Sequence, residues 1–192
     1  KPIYMDGINV ELTKTELKMY EEMQANSEIE PHIISLKGHA MSTTSKGAVR
    51  HYIFMEKGVR SGLDASSSLI ETVEQEIAET GMSNRALTLS RELLNGVSTC
   101  HEQGYFLRDI KPENWVLDLE GHAKLIDFGT VLSRKSITDP SARDTLSLFE
   151  GTPTYFPPEH TESQENIESI RRDPDQIETM LKQRDSWAMG LT

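Results

Sequence analysis

The stretch that decides the fold runs from Tyr105 to Thr130 and reads "YFLRDIKPENWVLDLEGHAKLIDFGT". Two short apolar runs, "WVLDL" and "HAKLIDF", meet at Glu120–Gly121, a pattern that predicts a β-hairpin. The hairpin carries Asn114 at one end of its sequence and Asp127 at the other, with Asp109 and Lys111 just before it. Gly129 lets the backbone turn sharply beside Asp127.

Outward from this stretch the chain alternates between periodic and polar segments. On the N-terminal side, "SNRALTLSRELLNGVSTCHEQG" places Leu87, Arg91, Leu94 and Val97 on a helical period. Ser83 is its cap and Gly104 its stop, so a long, mostly buried helix is expected. Further upstream, "PHIISLKG" and "RHYIFMEKG" read as neighbouring strands, each ending at a glycine. "HAMSTTSKGAV" between them reads as a polar loop, and "RSGLDASSSL" as a Ser/Gly-rich connector, which sets a boundary near Gly58 to Gly62. A helix is expected from about residue 14 to 25, where Thr13 and Glu16 match the capping-box pattern and Leu17, Tyr20 and Met23 recur at helical spacing. On the C-terminal side, residues 130–150 show no periodicity and read as a long surface loop. Asp173 and Pro174 mark the cap and first position of another helix.

Composition narrows the class. With 192 residues, 36% of them apolar, the chain can bury a real core. Its 31 acidic against 20 basic side chains give a formal charge of -11, which disfavours broad nucleic-acid binding. No run approaches the ~18 apolar residues of a membrane span. Cys100 is the only cysteine, which excludes an internal disulfide and fits an intracellular, cytoplasmic setting. The six histidines have no partner at helical spacing, so a zinc site is not expected.

The residue types of the central stretch match one chemistry. Phosphoryl transfer needs a group to orient the attacking hydroxyl, oxygen ligands for Mg²⁺ and positive charge on the moving phosphate. Asp109, the pair Asn114 and Asp127, and Lys111 can supply these in turn. In order and spacing, "LRDIKPEN" followed by "IDFG" resembles the eukaryotic-type protein kinase signature, with Asn114 five residues and Asp127 eighteen residues after Asp109. "GTPTYFPPEH" is similar to the loop that closes in Ala-Pro-Glu, and "DSWAMG" to the start of the large helix under the catalytic loop.

The resemblance implies an α+β, two-lobed protein-kinase-like fold, incomplete at both ends. Residues 1–58 would form a partial β-rich small lobe with one helix, and residues 59–192 a partial, mostly α-helical large lobe. It implies ATP and Mg²⁺ as cofactors, with Asp109 and Lys111 catalytic and Asn114 and Asp127 as metal ligands. Lys1 and Glu16 would position the nucleotide phosphates, while Met55, Glu56 and Gly58 would line the adenine site. Lys111 and Thr152 resemble the serine/threonine branch, so a protein substrate is implied, with a regulatory protein partner possible. Arg108 would clamp a phosphate on the loop that offers Ser133, Ser136, Thr138, Ser141, Thr145 and Ser147. Leu107 replaces the usual histidine, Pro157 replaces the alanine of Ala-Pro-Glu, and Glu159 to Asp185 reads as an inserted, partly helical segment. The residues from Lys1 onward contain no glycine-rich phosphate loop, and the chain is expected to be a segment of a longer polypeptide rather than a stripped-down relative. A pseudokinase scaffold acting by partner binding, or an atypical kinase-fold enzyme with a non-standard substrate, are the alternative readings.

Overall fold

A computed structural model of the chain describes residues 3–5, 10–43, 45, 47, 49–58, 60–61, 78–80, 83–160 and 164–192. The chain divides into two compact units, residues 1–96 with 113–129 and residues 97–112 with 130–192.

In the first unit, strands β1 (Ile3–Met5), β2 (Leu36–Thr43) and β3 (Val49–Met55) form an antiparallel sheet in the order β1-β3-β2. The expected neighbours do pair, with Ala40 opposite Tyr52 and Thr43 opposite Val49. The boundary between strand and loop was misplaced, because "HAMST" belongs to β2 and not to the polar loop. Its side chains are exposed, so polarity there marks a solvated strand rather than a turn. Helix α1 (Val10–Gln24) packs against β2 and β3. It starts one turn before the expected residue 14, so positions 13 and 16 lie inside the helix rather than at its start. Glu16, Tyr20 and Met23 instead form its buried stripe, at spacings of four and three.

The hairpin forms as expected. Strand β4 (Arg60–Ser61) pairs with β6 (Trp115–Leu117), which pairs with β7 (Ala123–Leu125), Trp115 facing Leu125. Gly121 turns the chain at φ +88°, a conformation that L side chains rarely adopt. Helix α2 (Asn84–Glu102) is capped by the Ser83 hydroxyl, which accepts from the amide of Ala86 at 3.2 Å. Its buried face is Leu89, Leu93, Val97 and Cys100, whereas Leu87 and Leu94 are exposed. The expected period was therefore right in length but rotated about the axis. Gly96 lies on this buried side, where an added Cβ would come within 3.2 Å of His32 and 3.4 Å of Leu125.

The second unit pairs β5 (Tyr105–Phe106) with β8 (Leu132–Ser133) and continues through helices α3 (Arg134–Thr138), α4 (Pro140–Arg143), α5 (Gln164–Arg172) and α6 (Pro174–Leu191). Residues 130–150 are thus not a structureless surface loop. Ser133 caps α3, Asp139 caps α4, and Ile137 and Leu148 are fully buried. Those two join Phe106, Leu132, Ile177, Met180 and Leu181 in one core. Asp173 caps α6 as expected, accepting from the amides of Asp175 and Gln176. The helix then runs through "DSWAMG", so Asp185 sits inside a helix rather than at the start of one.

Arg134 of α3 holds Glu178 of α6 through two hydrogen bonds, of 2.8 and 2.7 Å, and Lys182 adds a third contact at 2.8 Å. The Arg134 hydrogen bond is the main reason the Glu178 carboxyl is pulled down to about 2. A carboxyl depressed in the folded state stabilises fully above its unfolded pKa and loses that contribution as the pH falls toward the folded value. Glu178→Gln should lower the unfolding temperature by roughly 2–4 °C at pH 7, and the gap should close as the pH is taken down toward about 2 in a thermal scan.

Candidate active site

Asp109 lies just past β5 in the second unit and is fastened from two sides. Lys111 Nζ donates to Asp109 Oδ2 at 2.6 Å and to Thr152 Oγ1 at 2.9 Å. The Thr152 hydroxyl and amide both donate to Asp109 Oδ1, at 2.7 and 2.8 Å. Burial alone would push the Asp109 carboxyl up, but the hydrogen bonds from Lys111 and Thr152 outweigh it and hold the group below the usual carboxylate range. Asp109 is therefore an anion at neutral pH.

The backbone just before Asp109 is held by Asp185 of α6. The carboxylate, 1% exposed, accepts from the amides of Leu107 at 2.9 Å and Arg108 at 2.7 Å, and lies 2.8 Å from His101 Nε2. Arg108 has φ +69°, costly for a residue with a Cβ, and its buried guanidinium bonds to the carbonyls of Thr130 and Ser147 and to Glu150. Arg184, one residue before Asp185, is buried as well. It donates to the carbonyls of Leu148, Arg108 and Glu150, and its guanidinium carbon lies 3.7 Å from the centroid of Phe156.

Asn114 and Asp127 belong to the first unit. They stand at opposite ends of the hairpin sequence, but its strands are antiparallel, and Ile126 donates to the carbonyl of Asn114 at 3.0 Å. The two residues are consequently neighbours. Asp127 also has a positive φ, +64°, and its amide donates to the Tyr20 hydroxyl at 3.1 Å. The Tyr20 ring in turn packs on Phe128, with centroids 4.4 Å apart. Glu16, one turn before Tyr20, is raised to about 7 by burial first and by the charge of Asp127 second. An amide oxygen beside a carboxylate is a donor set that fits Mg²⁺, which takes one or two carboxylates and completes its shell with water and phosphate. Among the described residues no group of three or more His, Cys, Asp or Glu side chains could hold a metal.

The remaining expected site residues lie in or beside the first sheet. Met55 ends β3 and is half-buried. Glu56 directs its amide to the carbonyl of Ser35 at 2.8 Å, and Gly58 lies against Val116, where an added Cβ would approach to 3.1 Å. Lys1 falls outside the described residues. Sequence reasoning missed Glu150 and Arg184 as site residues and read Tyr20 only as part of a helical period. Only Tyr20 had a signal, its spacing of one turn from Glu16.

This fold is that of a protein kinase domain. The family model for the protein kinase domain matches residues 6–192, and the chain belongs to that family. Its relatives include an Aurora kinase of Patiria pectinifera, 29% identical over 179 residues that cover 93% of this chain and 36% of the relative. Aurora kinase B of Mus musculus is 28% identical over 88% of this chain and 43% of its own length. CBL-interacting protein kinase 32 of Oryza sativa subsp. japonica is 40% identical over a shorter match, 38% of this chain and 16% of that protein. The chain thus spans less than half the length of each of these relatives.

Two variants separate the supports of the site. Tyr20→Phe keeps the ring on Phe128 and removes one hydrogen bond, and should cost about 1 kcal/mol in urea unfolding. Asp185→Ala leaves the buried amides of Leu107 and Arg108 without acceptors and should cost about 3–5 kcal/mol.

Proposed function

We propose that this chain is catalytic machinery of a serine/threonine protein kinase, transferring the γ-phosphate of ATP to hydroxyl groups of protein substrates. The observation that carries the reading is the ionised Asp109, tied to Lys111 and Thr152, in a chain of this family. In the reaction the substrate hydroxyl oxygen attacks the γ-phosphorus and the bond to the β,γ-bridging oxygen breaks. ADP leaves, and the hydroxyl proton passes to Asp109. Lys111 places its charge on the phosphoryl group in transit. Thr152 keeps Asp109 and Lys111 in register.

Asn114 and Asp127 would hold Mg²⁺, which supplies charge neutralisation at the phosphate oxygens when bound. Glu16, with Lys1, would position the nucleotide phosphates. Glu56 would offer its carbonyl to adenine, since its amide is committed to Ser35, with Met55 and Gly58 flanking it. The assignment of residues 1–58 and 59–192 to two lobes is part of this proposal. Lys111 and the serine/threonine-kinase-like "GTPTY" support a hydroxyl of serine or threonine as acceptor.

The test is phosphate transfer from labelled ATP by the full polypeptide, in the presence of Mg²⁺, to itself and to a generic basic protein. Asp127→Ala and Asp109→Asn should each lower turnover by about a thousandfold or more while circular dichroism shows the fold retained. Turnover at the normal rate in Asp127→Ala would overturn the assignment.

A further inference from the structure

We propose that Glu150 and Arg184 hold the segment Ser147–Thr152 in its working position without any phosphate, so that transfer is independent of phosphorylation in residues 130–150. The inference rests on the kinase reading only for its functional consequence; the device itself is a matter of structure.

An arginine that awaits a phosphate has no anion on it until the phosphate arrives. Each of the three Arg108 nitrogens is already engaged, which uses three of the guanidinium's five N–H donors: Nε donates to the carbonyl of Thr130, Nη1 to that of Ser147, and Nη2 to the Glu150 carboxylate at 2.8 Å. The anion that an added phosphate would supply is thus already written into the segment. The Glu150 side chain is 46% exposed while Arg108 is 3% exposed, so the carboxylate reaches a buried cation from the surface.

Arg184 grips the same segment from the other side. It donates to the carbonyls of Leu148 and Glu150 and also to the carbonyl of Arg108, the residue before Asp109. One side chain therefore spans the segment and the backbone just before Asp109. Gly151 permits this approach. It adopts φ +120°, and an added Cβ would lie 2.3 Å from the Arg108 carbonyl oxygen and 2.8 Å from Arg184 Nη2. The next residue, Thr152, makes the contacts to Asp109 and Lys111 described above.

Three hydroxyls of the preceding stretch, those of Ser133, Thr138 and Thr145, are engaged locally. Ser133 accepts from the Ser136 amide as the cap of α3, Thr138 donates to the carbonyls of Arg134 and Lys135, and Thr145 donates to that of Ala142. Their positions belong to helix ends and turns, and the contact with Arg108 is made by Glu150 instead. Glu150 and Arg184 are thus positioning residues that act through Arg108 and the backbone of residues 147–152.

The test uses the full polypeptide, treated with phosphatase and shown by mass spectrometry to carry no phosphate. Amide hydrogen exchange across residues 146–152 is compared among the wild type, Glu150→Gln, Glu150→Asp and Arg184→Met, with α6 amides as the fold control. The phosphate-free wild type should show a protected segment and, on the kinase reading, turnover within about twofold of its phosphorylated form. Glu150→Gln and Arg184→Met should speed exchange in the segment by about tenfold or more and lower kcat similarly, leaving the KM for ATP within about twofold. Glu150→Asp should restore much of both. Protection that appears only after phosphorylation, or that survives in Glu150→Gln, would overturn the proposal. If even the wild type transfers no phosphate, the kinase reading fails, and the exchange data alone decide for or against the device.

Discussion

The carboxylate of Asp185 is the constraint on which the second unit depends. It is buried, and it satisfies two consecutive backbone amides, those of Leu107 and Arg108, at a point where no strand or helix does so. A charged acceptor makes such bonds worth about 1.5–3 kcal/mol each, against a cost of about 1–2 kcal/mol for the left-handed conformation of Arg108. The balance favours the strained turn only while the carboxylate is there. The turn in its settled form fixes where the Arg108 carbonyl points, where its guanidinium goes and where Asp109 begins.

The first unit solves the same problem with a neutral group. Asp127, at φ +64°, has its amide captured by the Tyr20 hydroxyl, and the Tyr20 ring is itself locked against Phe128. Here the strained residue is the proposed metal ligand, and its clamp sits on helix α1 one turn after Glu16. Among the described residues the two strained non-glycine ones, Arg108 and Asp127, thus flank the proposed chemistry in sequence, and each is held through its amide by a buried side chain far away along the chain. Strain of this kind persists where surrounding bonds over-determine it.

The parts legible in the sequence were those with short-range rules. Ser83 and Asp173 announced two helix starts, Gly121 announced the hairpin turn, and the hairpin itself followed from alternation between turn signals. Asp109, Lys111, Asn114 and Asp127 became candidates because they fall in one short passage, in the order and spacing of the kinase signature. What failed depended on long-range burial. The polar run "HAMST" is a strand because β3 supplies its hydrogen bonds, and the buried side of α2 is the one that carries Gly96 with Leu89 and Leu93 rather than the one that carries Leu87 and Leu94. Isolated apolar residues such as Ile137 and Leu148 carry no period, yet they anchor the stretch that read as loop. Nothing local marks Glu150 or Arg184, since their roles exist only once residues 147–152 fold back on Arg108.

The electrostatics of Asp109 bear on what it does in the proposed reaction. Hydrogen bonds from Lys111 and Thr152 hold its carboxyl below the ordinary range despite burial, which makes it a weak base. An efficient general base would need the opposite shift, toward the working pH. Phosphoryl transfer through a loose transition state asks little of a base early on, because the attacking hydroxyl keeps its proton until the bond to phosphorus is well formed. A permanently ionised carboxylate fixed by two partners is suited to that demand: it accepts a hydrogen bond from the hydroxyl and aims its lone pair, and takes the proton late, when the oxygen has become acidic. The fastening by Thr152 and Lys111 that weakens Asp109 as a base is then the same fastening that makes it an accurate guide.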